Sequence, residues 1–253
     1  MTQILGFTGR KRAGKDTACN FVLALKLAEL GISRSVRLSE KGGVEVTDIL
    51  GESVQGEEWF PFASPYVETA SLFDDRLGES IRVYSFARKL KQIAVDLFGL
   101  DPEVVCGNYN GKEKKTTLKW QDMPTKVGKK GKMTVREVLQ YLGTDIFRKM
   151  YEDVWVDACL RQIKRDSPKI ALVSDVRFEN EVLALQKADG YVVGLTRSTG
   201  DNDSHDSETS VEKCLELCDA VIDNKDLTIP EQNEQIYMTT KHLDIYPEME
   251  NKE

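Results

Sequence analysis

Apolar residues along this chain gather into five short runs, at about residues 3–8, 81–86, 169–174, 191–196 and 219–222, each rich in Ile, Val, Leu or Tyr. At least one stretch of helical periodicity separates each run from the next. Short apolar runs alternating with amphipathic helices predict a parallel sheet covered by helices on both faces. Helix punctuation is also readable. After the first run, Ala18, Phe21, Val22 and Leu25 fall on one helical face, and Gly31 supplies a C-terminal stop. Thr134 and Glu137 form a capping box ahead of Val135, Val138, Leu139 and Leu142, with Gly143 expected to end that helix. Thr228 and Pro230 open the last helix, which carries Ile236, Thr240 and Leu243 on one side. The expected class is α/β, with about five parallel strands.

Two stretches break the alternation and read as inserts, at about 32–80 and 101–133, within a single domain spanning 1–253. The first holds Gly42-Gly43, acidic clusters and an aromatic patch of Trp59, Phe60 and Phe62. A packed insert is the expectation there, with a hydrophobic flap as the alternative. The second carries Lys112, Lys114, Lys115, Lys119, Lys126, Lys129, Lys130 and Lys132. It is either a solvated loop or a mobile lid whose cations close over phosphates.

The first strand runs into Gly9-Arg10-Lys11-Arg12-Ala13-Gly14-Lys15-Asp16-Thr17. The spacing Gly-x-x-x-x-Gly-Lys has a physical reason. Glycines let backbone N–H groups turn inward around phosphate oxygens, the lysine reaches the outer phosphates, and the following helix presents its positive end. Asp16 stands where Ser or Thr is usual, so either Thr17 ligates Mg2+ or Asp16 holds the ion through water. A second element pairs with the loop. The strand Ile170-Ala171-Leu172-Val173-Ser174 ends in Asp175, an acid suited to holding Mg2+ beside a phosphate loop.

Other candidates are less specific. Arg177 and Glu181, four residues apart, suit either a surface ion pair or a phosphate grip with its orienting acid. Arg88, Lys89 and Lys91 crowd a helix N-terminus, where cations are disfavoured unless an anion sits there. Arg136 and Gln140 share a helix face, as a phosphate fork and an amide able to read a base edge. Trp155 suits base stacking or a core. His205, in Ser204-His205-Asp206-Ser207-Glu208, has no Cys or nucleophile-elbow Ser to partner it, so general-base chemistry is not expected.

Bulk properties narrow the field. No apolar run approaches a membrane span, and residues 1–8 read as a strand rather than a signal peptide. Five cysteines without paired spacing suit a reducing cytoplasm, and Cys214 and Cys218 read as core residues. Two histidines exclude a His-rich metal site. A net charge of −7 argues against generic nucleic-acid coating.

Together the Gly-Lys-Asp-Thr loop, the segment Arg136-x-x-x-Gln140-x-Leu142-Gly143-Thr144-Asp145 and the segment Asp175-x-Arg177-x-x-x-Glu181 resemble bacteriophage deoxynucleoside monophosphate kinases. Arg197 at a strand end, His205-x-Ser207-Glu208, and Asp219 through Asn224 agree, and the resemblance covers about 1–31, 81–100 and 134–245. It implies a P-loop NTPase fold, ATP and Mg2+ as cosubstrates, small-molecule nucleotides as partners, a cytoplasmic setting and often a homodimer. It also implies phosphates held by Gly9, Arg10, Arg12, Ala13, Gly14, Lys15, Asp16 and Thr17, and Mg2+ by Asp16, Thr17 and Asp175. Catalytic charge would come from Lys15, Asp16, Arg136, Asp175 and Arg177, and the acceptor would meet Arg88, Arg136, Gln140, Trp155, Arg177 and Glu181. Two alternatives stay open on the residues alone: a P-loop kinase of another metabolite, resembling animal-type phosphomevalonate kinases, and a nucleotide-switched DNA-associated ATPase.

Overall fold

The computed structural model describes residues 1–49, 52–53, 59–62, 75–106, 109–124, 128–197 and 210–246. Lys126, His205, Ser207 and Glu208 lie outside them. Five strands form one parallel sheet: β1 (Gln3–Gly9), β2 (Ile81–Tyr84), β3 (Ile170–Val176), β4 (Tyr191–Leu195) and β5 (Ala220–Ile222). Their spatial order is β5-β4-β1-β3-β2. The five apolar runs of the sequence are these strands. Helices α1 (Lys15–Glu29), α2 (Ala87–Phe98), α3 (Val135–Gln140), α4 (Val154–Asp166), α5 (Glu179–Lys187), α6 (Val211–Leu217) and α7 (Ile229–Thr240) lie between or after them. The chain divides into two compact units, Met1–Ser85 with Gln162–Glu253, and Phe86–Arg161.

In the first unit the sheet is apolar through its thickness. Leu5, Phe7, Leu172, Leu195 and Val193 are wholly buried, as parallel strands covered on both faces require. The α1 face that packs on this core is Ala18, Cys19, Val22, Leu23 and Leu27, with the stems of Lys15 and Lys26. Phe21 and Leu25, expected on the same face as Ala18 and Val22, are only half-buried. The helix takes its phase from Lys15, which must reach back to the preceding loop; positions 18, 19, 22 and 26 then follow at helical spacing. The described part of the first insert is packed, not looped out. Val36–Leu38, Val44–Val46 and Phe60–Pro61 form a small antiparallel sheet, and Val44, Val46 and Phe62 are buried in the same core. Trp59 lies 4.1 Å under the Arg37 guanidinium. Asp48, buried, accepts from Ser33 Oγ and Arg34 N–H, both at 2.8 Å, and these bonds hold its carboxyl below the usual carboxylate range.

The second unit has its own core of Ala94, Leu100, Val105, Trp120, Met133, Val135, Val138, Tyr141 and Leu142. A short hairpin, Lys115–Lys119 against Lys132–Thr134, buries Thr116 and Met133 and exposes Lys115, Lys119 and Lys132. The Thr134–Glu137 capping box forms as expected. Gly143 does not end the helix. The chain runs on through a wider π-type turn over Tyr141–Arg148. A side chain at Gly143 would begin 2.8 Å from Leu90 Cδ2, so this glycine serves close packing against α2 instead of termination.

Candidate active site

The loop between β1 and α1 sits where the strand order reverses, with β4 and β3 on either side of β1. Ligands of open parallel sheets collect at that switch point, outside the carboxyl ends of the strands. Arg12 (φ +62) and Gly14 (φ +98) are both left-handed, and the Ala13 N–H donates back to the Arg10 carbonyl at 3.0 Å. Alternation of this kind turns successive N–H groups toward one concave side, which is what an anion requires. Two glycines are fixed by space as well as by φ. A Cβ at Gly9 would lie 2.5 Å from the Leu195 carbonyl oxygen, and one at Gly14 would lie 2.6 Å from Gln232 Oε1.

Lys15 is only 7% exposed, and its ammonium donates to the carbonyls of Gly9 (2.7 Å) and Arg10 (2.8 Å). The charge is thereby held at the mouth of the loop. Arg10 bonds Glu212 on α6 at 2.6 Å, while Arg12 and Asp16 face solvent. Asp175, at the end of β3, accepts from Ser85 Oγ at 2.6 Å. The Cys19 thiol, wholly buried one helical turn beyond Lys15, registers all three charges: burial raises its pKa well above the ordinary value, Asp16 and Asp175 raise it further, and Lys15 lowers it. Lys15 and Asp16 at the start of α1 and Asp175 at the end of β3 thus each act electrostatically on this one thiol. Thr17 is hemmed in by the first insert. A Cβ at Gly42 (φ +75) would lie 2.3 Å from Thr17 Oγ1, and Asn20 Nδ2 donates to the Gly42 carbonyl at 2.9 Å.

Beyond β3, Arg177 is half-buried at the start of α5. Glu181 is 2% exposed and accepts from the backbone N–H groups of Arg177 (2.8 Å) and Phe178 (3.1 Å). It caps α5 and fixes the backbone that carries Arg177; the surface ion pair that its spacing allows is not what buries it. In the second unit, Arg136 and Gln140 share a half-buried face of α3, and the Arg136 guanidinium bonds the Glu113 carboxylate. Arg88 lies in the first turn of α2, which has neither a side-chain cap nor an acidic residue there. Trp155 is enclosed in its unit: its indole N–H donates to the Gly143 carbonyl at 3.1 Å and its ring meets Phe147 edge to face. That is the environment of a core residue.

Three residues that support the loop were not singled out as site residues by sequence reasoning. Ser85 orients Asp175, and Asn224 and Gln232 lie behind Ala13 and Gly14. A polar residue just past a strand end was the signal for Ser85, the same position and the Asp219–Asn224 segment of the family resemblance were the signals for Asn224, and Gln232 left none. Among the described residues, no three His, Cys, Asp or Glu side chains gather as a metal cage, and no helix is long and apolar enough to cross a membrane. None of the five cysteines is in a disulfide.

Comparison with known proteins adds two findings. The family model described as deoxynucleotide monophosphate kinase matches residues 87–235, more than half of the chain. The chain is also 29% identical over 180 residues to an Acanthamoeba polyphaga mimivirus protein named "Putative deoxynucleotide monophosphate kinase", covering 66% of this chain and 86% of that one. The family match begins after the glycine loop, so the loop's reading stands on its own geometry.

Proposed function

The chain belongs to the deoxynucleotide monophosphate kinase family, and on that premise we propose that Gly9–Thr17 binds the ATP phosphates for transfer of the γ-phosphoryl group to a deoxynucleoside 5′-monophosphate. The observation that carries this reading is a loop at the switch point whose backbone is turned for an anion, with the buried Lys15 ammonium held against it. Family membership decides between the acceptors that the loop leaves open, in favour of nucleotides rather than another metabolite. Because the match runs from 87 to 235, it spans both units, which supports reading them as parts of one kinase.

In the reaction, a 5′-phosphate oxygen of the monophosphate attacks the γ-phosphorus. The bond from that phosphorus to its bridging oxygen breaks, and ADP leaves with the electron pair. Such transfer depends on positioning and charge neutralisation more than on a base. The Lys15 ammonium exchanges its two carbonyl partners for phosphate oxygens. Arg177 and Arg136 neutralise the acceptor and the migrating group, with Arg12 and Arg88 as further cations and Gln140 as a reader of the base edge. Glu181 acts indirectly, by fixing the backbone that carries Arg177, and Trp155 by filling the core of the second unit. Asp16 and Asp175 would hold Mg2+, which takes one or two carboxylates and leaves its other positions to phosphate and water. Bound there, the ion supplies charge to the phosphate oxygens. Thr17, with Gly42 packed against its hydroxyl, fits the ion less well than the two acids do.

The test is a coupled ADP-release assay with Mg·ATP and each deoxynucleoside monophosphate in turn, with Lys15→Ala and Arg177→Ala beside the wild type. Release that depends on a monophosphate, yields the diphosphate and falls by orders of magnitude in both variants is expected. ADP release indifferent to every monophosphate but stimulated by DNA would overturn the reading.

A further inference from the structure

Behind the glycine loop lies a polar cluster that no step of the transfer uses. Asn224, two residues past β5, is wholly buried, and its Nδ2 donates to the Ala13 carbonyl (2.8 Å) and to Gln232 Oε1 (2.6 Å). Its Oδ1 accepts from the Arg197 N–H at 2.8 Å. The Arg197 guanidinium in turn donates to the carbonyls of Asn224, at 3.0 and 2.8 Å, and of Leu227. Gln232, on α7, is 1% exposed, and its Nε2 has no hydrogen-bond partner. An unpaired buried amide costs roughly 1–3 kcal/mol. Gln232 retains this orientation because its oxygen is taken by Asn224 and its amide plane lies against Gly14, where no side chain fits.

We propose that Asn224, backed by Gln232 and Arg197, is a positioning residue that sets the Ala13–Gly14 peptide for ATP. The peptide is planar and trans, so its C=O and N–H point in opposite directions. Asn224 holds the Ala13 carbonyl toward the protein interior, and the Gly14 N–H is thereby turned away from the cluster, toward the concave side of the loop. Without that bond a left-handed glycine has little to prevent rotation of the peptide, since φ and ψ on either side of it are soft. A peptide rotated the other way would present a carbonyl oxygen to phosphate instead of an N–H donor. The cluster thus converts a flexible glycine into a fixed donor before the nucleotide arrives, which lowers the ordering cost of binding.

The inference rests on the loop being the ATP phosphate site, and the test separates the two. Binding of Mg·ATP is measured by calorimetry for the wild type, Lys15→Ala, Asn224→Asp and Asn224→Ser. Thr240→Val is the control: it removes the hydrogen bonds of an equally buried side chain (Oγ1 to the Ile236 carbonyl, 2.7 Å, and to the Tyr246 hydroxyl, 2.6 Å) on the same helix as Gln232. The expected result is at least a tenfold loss of ATP affinity in folded Asn224→Asp or Asn224→Ser. KM for ATP should rise while KM for the monophosphate stays within threefold, and Thr240→Val should lose stability alone. Asn224→Asp should also regain ATP affinity as pH falls, because a protonated carboxyl restores a donor facing the Ala13 and Gln232 oxygens. A merely structural role would produce neither the KM split nor this pH profile. Absence of Lys15-dependent ATP binding in the wild type would overturn the site reading, whereas wild-type affinity in a folded Asn224 variant would overturn the positioning role alone. Should neither variant fold, 15N relaxation dispersion on the ATP-free wild type decides. A quiet Gly14 amide supports the proposal, and microsecond-to-millisecond exchange there overturns it.

Discussion

Gly14→Ala tests the loop geometry with a magnitude that the structure supplies in two parts. The first is backbone strain: at φ +98 and ψ +13, an L residue with a Cβ pays roughly 1–2 kcal/mol or somewhat more relative to its relaxed conformation. The second is overlap. The new Cβ would lie 2.6 Å from Gln232 Oε1 and 3.2 Å from its Nε2. Gln232 is buried and hydrogen-bonded to Asn224, so it cannot retreat freely, and overpacking of this kind costs about 1–3 kcal/mol. The sum, about 2–5 kcal/mol, should appear as a lower urea midpoint at unchanged slope. If the loop instead rotates away from its left-handed conformation, part of the loss reappears as weaker ATP binding. A double-mutant cycle with Gln232→Ala separates the two parts. The coupling should recover the overlap, about 1–3 kcal/mol, and leave the strain in place. Wild-type stability together with wild-type ATP affinity in Gly14→Ala would refute the reasoning. So would a cycle with no coupling, which would mean that Gln232 does not press on Gly14.

Three further outcomes are expected. Glu181→Ala removes the acceptor of two half-buried N–H groups at the start of α5 and should lower stability by about 0.5–2 kcal/mol, read as a shift in the urea midpoint; an unchanged midpoint would deny the capping role. In the second unit, burial raises the pKa of Glu137, but the Thr134 N–H, the Trp120 indole and Lys115 together hold it below the ordinary value. Because the folded value is depressed, the contribution of Glu137 is fully present above the unfolded pKa of about 4.3 and is lost as pH falls through the folded value. Glu137→Gln should therefore flatten the acid limb of the stability profile, and an unaltered limb counts against it. Burial also pushes the Cys214 and Cys218 thiols up to about 12 and that of Cys19 well above its usual value. Iodoacetamide at pH 8 should accordingly label exposed Cys106 first, and Cys19 only after unfolding, as mass spectrometry of the native protein would show.

Features set by neighbours a few residues apart were legible without the fold. The strand runs owe their position to continuous apolar side chains, and the capping box at Thr134, the helix start at Thr228 and Pro230 and the left-handed stop at Gly31 each involve backbone groups within one helical turn. The glycine loop belongs with them, since its spacing encodes its own turn. Residues whose role depends on what lies across from them were not legible. Gly143 looked like a helix stop because nothing local reveals that Leu90 packs over it. Trp155 suited base stacking or a core in the sequence, and only the fold shows its ring against Phe147 and its indole N–H on the Gly143 carbonyl. Glu181 suited a surface pair, and its carboxylate turned inward once Val182 and Leu185 went into the core.

The chain by itself determined the parallel α/β class and the left-handed turn of the glycine loop, because periodicity, capping and turn conformation are short-range properties of the backbone. Only the tertiary structure decided what stands behind that loop. Asn224 meets Ala13 across 211 residues of sequence because β4 and β5 run parallel on one side of β1 and end at the same level, where their connections must turn. A parallel sheet brings together residues separated by whole crossover helices, and no local pattern records which of them will share a buried hydrogen bond.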